Sequence, residues 1–157
     1  GSFSTGTIRA SAFLARCAEL GIEGTVRSAD AYSVEEGTRL TSEVIEEEGL
    51  LEHAEHLGRV AQRRMDRMTE EHRIVGNVRA KGCLMGIELV RDRATKEPFN
   101  AAGELVYQKA FRKGLAWIPA GHILRMSPPI VMSEENLLKG LDIIDESIGE
   151  AEKELLS

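Results

Sequence analysis

One arginine stands in an apolar segment directly before a double proline, in the run Ile123-Leu-Arg-Met-Ser-Pro-Pro129. The apolar neighbours of Arg125 predict a short, partly buried strand, where a guanidinium needs an anionic partner because an unpaired buried charge is very costly. The planar fork of arginine binds a carboxylate through two parallel hydrogen bonds, and Pro128-Pro129 would fix the backbone just beyond it. Arg125 is therefore a candidate carboxylate-binding residue. An arginine that faces solvent or pairs with a structural glutamate is the alternative.

The other polar residues do not have the spacing of a catalytic or metal site. His53 and His56 are one helical turn apart, but they lack the nearby cysteines or further ligand that a zinc site requires. Cys17 and Cys83 match no metal or redox spacing. We therefore predict no metal ligand and no catalytic residue in this sequence.

The charge distribution argues against nucleic acid as a partner. The net charge is −6, and residues 1–48 contain four arginines and no lysine against nine acidic residues. Neither this segment nor the remainder has the basic surface that binding to a phosphate backbone requires. The same charge argues against a DNA-binding helix-turn-helix within residues 8–48.

Hydrophobic runs in the sequence are too short for a membrane protein. No run approaches the roughly 18 apolar residues that span a bilayer, and the first residues lack the basic start and apolar centre of a signal peptide. We therefore expect no membrane partner and a cytoplasmic location.

Periodicity predicts an α+β fold, with a small antiparallel or mixed sheet of three to four strands and helices packed on one face. The predicted helices span 8–20, 34–48, 51–72, 101–113 and a final segment after Ser133, and the predicted strands span 74–78, 83–90, 115–118 and 123–126. The strongest helical pattern is that of residues 51–72, where Met65 and Met68 belong to the apolar side. Asn100 and Ser133 are predicted helix caps.

Glycines mark the predicted hairpin between the first two strands. Ala80-Lys-Gly82 forms the predicted turn, in which Gly82 supplies a positive φ. Gly86 permits close backbone approach within the following strand. Arg79 and Lys81 are expected to be solvated.

The ordered motifs resemble the C-terminal small domain of class III pyridoxal-phosphate (PLP) aminotransferases, of the acetylornithine, ornithine and 4-aminobutyrate aminotransferase and dialkylglycine decarboxylase type. The resemblance covers roughly residues 40–150. It is carried by four runs: Val44-Ile-Glu-Glu-Glu-Gly-Leu-Leu51, Ile74-Val-Gly-Asn-Val-Arg-Ala-Lys-Gly-Cys-Leu-Met-Gly-Ile-Glu-Leu-Val90, Arg91-Asp-Arg-Ala-Thr-Lys-Glu-Pro98 and Leu124-Arg-Met-Ser-Pro-Pro-Ile130.

The resemblance implies a domain that packs against a large PLP-binding domain in a homodimeric transferase. It also implies that Arg125, in the Arg-x-x-Pro-Pro motif, contacts the substrate carboxylate. The cofactor-binding lysine belongs to the large domain, which has no counterpart in these residues. We therefore expect no cofactor-binding residue on this chain, and PLP only in the complete enzyme.

Two departures from the family pattern limit the resemblance. Ala80 stands where the family has glycine, and residues 1–38 do not resemble the corresponding family segment. We therefore divide the chain into a helical segment of unclear relation, residues 1–38, and an aminotransferase-like small domain, residues 39–157, expected to form one compact body together.

Two functions follow as hypotheses. The first is the small-domain portion of a PLP-dependent aminotransferase, which helps to bind an amino-acid or keto-acid carboxylate and is inactive without the large domain. Its partner would be that large domain or a second subunit. The alternative is a stand-alone, non-catalytic binding or assembly module that has kept the small-domain fold.

Overall fold

A computed structural model describes residues 5–28 and 33–156. The chain separates into two compact units, Gly1–Glu47 and Glu48–Ser157, and each is described by itself. Part of the segment predicted over residues 1–38 lies outside the described residues. The division at residue 38 and the expected association of the two parts stay predictions.

The described residues of the first unit form two helices, α1 (Thr5–Glu19) and α2 (Val34–Glu47), which confirm the helices predicted there. The hydroxyl of Ser33 accepts a hydrogen bond of 3.1 Å from the backbone N–H of Glu36, which satisfies one free donor at the start of α2. Arg39 then forms ion pairs with Glu36 and Glu43 at 2.9 and 2.7 Å. Local side-chain interactions therefore support α2, in which the described structure has no buried residue.

The second unit is an α+β fold, as predicted. Its described residues form a three-stranded antiparallel sheet in which the strands lie side by side in chain order. The elements in chain order are α3 (Leu50–Glu71), β1 (Val75–Lys81), β2 (Leu84–Leu89), α4 (Asn100–Arg112), β3 (Ile123–Met126) and α5 (Glu134–Leu156). Met65 and Met68 are fully buried in the core, as predicted.

The hairpin turn is shorter than predicted. Ala80 and Lys81 continue β1 and pair with Met85 and Leu84, so that only Gly82 and Cys83 separate the strands. Gly82 has the predicted positive φ, at 54°. The prediction was wrong about Ala80 and Lys81 because the strand pairing, which the local sequence does not display, continues to the last residue before the glycine.

Alternate residues of the sheet lie in two different environments. Ile87 and Leu124 are paired across β2 and β3 and are buried in the core, which is completed by α3, α4 and α5. On the opposite face the three strands place Arg79, Gly86 and Arg125 in one row, and both arginines are exposed. The helices therefore cover one face of the sheet, which we call the covered face. Within the described residues of this unit the other face has no helix packed on it, and we call it the open face.

Charged residues join α3 to α5 at one end of the unit. Nδ1 and Nε2 of His72 each lie 2.9 Å from a carboxylate oxygen, of Glu152 and Asp145 respectively. Arg64 donates to Asp145 at 2.7 Å. Burial would raise the pKa of Asp145, but hydrogen bonds from Arg64 and His72 outweigh it and hold that pKa below its usual value.

Two local predictions for this unit were wrong. Residues 115–118 form no strand: the N–H of Leu115 bonds to the carbonyl of Ala110, at the end of α4, and the segment pairs with no strand. Asn100 does not cap α4 from outside, because the helix begins at Asn100 itself and Phe99 occupies the cap position without a side-chain hydrogen bond. Ser133 does cap α5, accepting from the N–H of Asn136 at 3.2 Å.

Candidate functional site

The candidate site lies on β3, the edge strand of the sheet. Arg125 is exposed on the open face, whereas Leu124 beside it is buried. The prediction that the arginine sits in a buried position was therefore wrong, although the strand itself is partly buried. The reason is the twofold alternation of side chains along a strand, which turns Arg125 away from the helices.

The guanidinium of Arg125 is not used by the fold. Among the residues that the structure describes, Arg125 has neither a hydrogen-bond nor an ion-pair partner. A carboxylate on the same face, that of Glu88, lies 3.9 Å from Nε2 of His122. In the chain by itself Arg125 faces solvent, as one alternative predicted. The other alternative, that Arg125 pairs with a structural glutamate, is wrong for the described residues. The guanidinium keeps its donors for a ligand.

A second arginine shares the row of Arg125. Arg79 pairs with Gly86, which in turn pairs with Arg125. A Cβ built on Gly86 would lie 4.0 Å from Nε of Arg79, so the side chain of Arg79 extends over the middle strand. No side chain separates the two arginines within this row, because Gly86 has none.

Arg125 also lines a groove of about 600 Å³ at the edge of the sheet. Its walls are the start of β2, the segment after α4, β3 with the segment that follows it, and the first turns of α5. The lining residues are Leu84, Met85, Leu115, Ala116, Trp117, Ile118, Arg125, Met126, Ser127, Pro128, Pro129, Met132, Asn136, Leu137, Gly140, Leu141 and Ile144.

The backbone before β3 is fixed by contacts that the sequence did not reveal. The side-chain oxygen of Asn100 accepts from the N–H of His122 at 3.0 Å, and the carbonyl of His122 accepts from Leu89 at 2.8 Å. A Cβ on Gly103 would lie 1.9 Å from the carbonyl oxygen of Gly121, so only glycine allows α4 to approach this turn. These three interactions set the position of Arg125.

The backbone after β3 is held by the start of α3. Nε2 of His53 lies 2.9 Å from the carbonyl oxygen of Met132, and Nε2 of His56 lies 2.6 Å from the carboxylate of Glu134. The two histidines thus lie on the same side of α3, as their spacing predicts, and hold the segment that contains Pro128-Pro129.

The aromatic residues support one wall of the groove. The rings of Tyr107 and Trp117 meet edge to face, with centroids 5.2 Å apart. Trp117, the only tryptophan of the chain, is therefore anchored on α4 although residues 115–118 form no regular element. Edge-to-face pairs of this kind stabilise by about 0.5–1.5 kcal/mol beyond the area they bury.

Two lysines on α4 are engaged by carboxylates of α5. Lys113 bonds to Glu146 and Glu150 at 2.8 and 2.7 Å, and these bonds raise the pKa of Lys113 and lower that of Glu150. Lys109 bonds to Glu154 at 3.0 Å. The raised pKa of Lys113 is the opposite of what an amine nucleophile requires. The ion pairs of both lysines link α4 to α5.

One further cluster has atoms suited to bind a metal ion. Among the described residues, Glu71, His72 and Asp145 can each direct one ligand atom to within 4.8 Å of the others. However, both nitrogens of His72 are already hydrogen-bonded to carboxylates, and Asp145 is bonded to Arg64. The existing bonds account for this cluster as a structural joint.

The environment of Cys83 does not favour a reactive thiol. Cys83, in the hairpin turn, is buried, and burial raises the pKa of its thiol. A thiol with a raised pKa is a weaker nucleophile at neutral pH.

Comparison with known proteins identifies the family. Residues 38–148 match the sequence profile described as aminotransferase class-III. The chain belongs to the class-III aminotransferase family. It is 40% identical over 113 residues to the leucine/methionine racemase of Thermococcus litoralis, covering 71% of this chain and 25% of the racemase. It is 42% identical over 108 residues to the isoleucine 2-epimerase of Lentilactobacillus buchneri, covering 68% and 24%.

A solved structure shows the same arrangement of elements. An aminotransferase of Bacillus anthracis superimposes with a TM-score of 0.63 at 32% identity, covering 69% of this chain and 26% of that one. The chain therefore spans about a quarter of the length of the curated relatives it matches. Within the described residues, no helix is both long and apolar enough to cross a membrane.

Proposed function

We propose that this class-III aminotransferase chain acts as the small-domain portion of a PLP-dependent enzyme, in which Arg125 binds the carboxylate of an amino-acid or keto-acid substrate. The observation that carries the proposal is a guanidinium without a partner among the described residues, on a strand fixed from both sides. A fixed arginine with free donors is suited to bidentate binding of a carboxylate.

The bonds of Lys113 support the expectation that the cofactor is attached outside this chain. The covalent attachment of PLP needs a lysine whose amine is readily deprotonated, whereas Lys113 is bonded to two carboxylates that raise its pKa. We infer that PLP is bound by a large domain or a second subunit, and that this chain contributes the arginine. On this basis the isolated chain is inactive, and a homodimer in the cytoplasm is the expected form of the enzyme.

The relatives leave the reaction catalysed by such an enzyme open. The names of the two relatives above describe racemisation and epimerisation of amino acids, while the structural relative is an aminotransferase. All three names are compatible with a carboxylate bound by Arg125. Assignment to the acetylornithine, ornithine or 4-aminobutyrate type stays a prediction.

The alternative function, a binding or assembly module without catalysis, is supported by a different observation. The second unit has a core of its own, with fully buried residues from its three helices and three strands. Such a unit could fold without a large domain. In this case the open face of the sheet and the groove would be its binding surface.

The test uses the product of the complete reading frame in which this sequence occurs. We expect that product to bind PLP, and Arg125→Gln to raise KM for the amino acid about 10- to 100-fold, because a charged hydrogen-bonded contact to the carboxylate is lost. Arg79→Gln is the matched control, with an expected change below about twofold. Bound PLP should keep its absorbance in both variants.

Two results would decide against the proposal. An unchanged KM in Arg125→Gln would remove the assigned role of the arginine. If the complete product is a short protein that does not bind PLP, the binding-module alternative is favoured. Reduction by borohydride of PLP bound to the 157-residue chain would contradict the inference that the cofactor is held elsewhere.

A further inference from the structure

The groove beside Arg125 has the chemistry of a small-molecule site. Among the described residues, Arg125 is the only charged one in its lining, and most of the other lining residues are aliphatic or aromatic. Its volume of about 600 Å³ lies within the range of about 300–1,000 Å³ that is usual for ligand pockets. Such pockets are mostly apolar and contain a few polar groups that orient the ligand.

The polar groups of the groove are few. Apart from Arg125, the lining side chains that can form hydrogen bonds are those of Ser127, Asn136 and Trp117. Arg125 has no counter-charge among the described residues, and the groove contains no second cation. One anionic group is therefore matched, and a second charge on the same ligand would enter an apolar environment without a partner, which is costly.

We propose that the groove binds the apolar side chain of the carboxylate that Arg125 binds, so that the substrate class is amino acids with a large aliphatic side chain. This inference rests on the proposed function of Arg125 and adds the specificity of the site. The carboxylate lies at Arg125, and the side chain lies between Trp117 and the first turns of α5. Substrates with a charged side chain are disfavoured.

The single tryptophan allows a direct test on the 157-residue chain. Trp117 lines the groove, so its fluorescence reports ligands that enter. The probes are acetate, butanoate, hexanoate and 4-methylpentanoate, with glutarate as the doubly charged control. We expect affinity to rise by up to about fourfold for each added methylene, the factor that follows from about 0.8 kcal/mol per buried CH₂. Glutarate should bind no better than acetate.

Two pairs of variants separate the anionic end from the apolar groove. Arg125→Gln should weaken the binding of every carboxylate by about three- to tenfold, because the contact is solvent-exposed. Arg79→Gln removes the same charge from β1, outside the lining of the groove, and should not weaken binding. Gly140→Phe places a ring in the groove and should flatten the dependence on chain length. Gly37→Phe, at a helical glycine with open space around it, is its control.

Folding of the groove variant is checked separately. A Cβ on Gly140 would lie 3.7 Å from Leu115, an ordinary contact. Gly140→Ala should therefore fold, with the same urea midpoint as wild type or a higher one, and its affinity for hexanoate should change only slightly. If Gly140→Phe does not fold, Gly140→Val provides the larger side chain.

Each outcome bears on one of the two proposals. If affinity rises steeply with the chain length of the carboxylate and Gly140→Phe abolishes this rise, the inference is supported. A flat dependence with weaker binding in Arg125→Gln overturns the inference and leaves the proposed role of Arg125 intact. A steep dependence unaffected by Arg125→Gln keeps the apolar groove and contradicts the proposed function. No fluorescence change with any probe overturns the inference, as expected if another part of a longer protein fills the groove.

Discussion

The two faces of the sheet in the second unit contrast in charge and in contacts. On the covered face, Ile87 and Leu124 are fully or almost fully buried beneath three helices. On the open face, Arg125 follows Leu124 directly along β3 and Arg79 lies on β1; both arginines are exposed and have no partner among the described residues. Adjacent residues of one strand thus serve different purposes. The covered face supplies stability, and the open face supplies the candidate site.

The contrast also explains how an exposed arginine can be well positioned. Arg125 owes its place to backbone contacts on both sides of β3, from Asn100 and Gly103 before it and from His53 and His56 after it. None of these four residues forms a hydrogen bond with the guanidinium of Arg125. Contacts of the backbone on both sides of β3 therefore position a side chain whose guanidinium takes part in none of them.

The largest expected effect on stability comes from a substitution on the covered face of β3, compared with one at the adjacent residue on the open face. Leu124→Ala should lower the free energy of unfolding by about 3 kcal/mol, because it leaves a cavity in the core. Arg125→Ala should change it by less than about 0.5 kcal/mol, as is usual at an exposed position. Urea unfolding measures both. Equal losses would show that the open face is stabilising as well.

A second change tests the contact between α4 and the turn before β3. Gly103→Ala would place a methyl group 1.9 Å from the carbonyl oxygen of Gly121, and the resulting shift should cost about 2 kcal/mol. Gly140→Ala is the matched control in another helix, where the added Cβ makes only an ordinary contact, 3.7 Å from Leu115, and the better helix propensity of alanine should leave stability equal or higher by up to about 1 kcal/mol. Thermal unfolding compares them. A Gly103→Ala protein as stable as wild type would show that the turn before β3 is adaptable.

A third change tests the joint between α3 and α5. Asp145→Asn should cost about 1–2 kcal/mol at pH 7, because Arg64 and His72 lose a charged acceptor. Since the pKa of Asp145 is lowered in the folded chain, its contribution is present above the unfolded pKa of about 3.9 and is lost as pH falls through the folded value.

The pH dependence supplies the control for this third change. The difference between wild type and Asp145→Asn should shrink below about pH 4, because the carboxyl of the unfolded wild-type chain is protonated there while that of the folded chain, whose pKa is lower, is still ionised. Urea unfolding at pH 7 and at pH 3 gives the two differences. A difference that is the same at both values would assign the loss to packing rather than to charge.

The smallest expected effect concerns the first turn of α5, which forms part of the groove wall. Ser133→Ala removes the hydroxyl that accepts from Asn136 and should cost about 1 kcal/mol. Its counterpart in the first unit, Ser33→Ala, removes the same type of cap from α2. Helix content by circular dichroism and urea unfolding compare the two. A loss in Ser33→Ala alone would contradict the importance of this cap for the groove.

Much of the second unit could be predicted because its signals are local. The apolar sides of α3 and α5 recur at helical spacing, Ser133 precedes acidic residues at a helix start, and Gly82 marks the hairpin turn. The strand 123–126 was predicted correctly from a short apolar run. Equally short and apolar, residues 115–118 were predicted wrongly as a strand, because no neighbouring strand is in a position to pair with them.

The site itself could be predicted only in part. Arg125 was identified from its unusual neighbours and from the family motif, and its role as a substrate-binding residue stays a prediction. Asn100 was assigned to a helix cap, whereas it holds the turn at His122, 22 residues away. No local signal in the sequence distinguishes these two uses, since an asparagine at a helix start is common in both.

The sequence by itself determined the fold class, the positions of most helices and strands, the identity of the arginine and its family motif. These depend on periodicity, on turn residues and on the order of motifs, all of which are properties of neighbouring residues. Only the tertiary structure decided that Arg125 is exposed on the open face, that Gly86 lies between Arg79 and Arg125 in one row of the sheet, and that residues 115–118 and α5 line a groove with Arg125. The physical reason is that these features depend on strand register and on close contacts between distant segments.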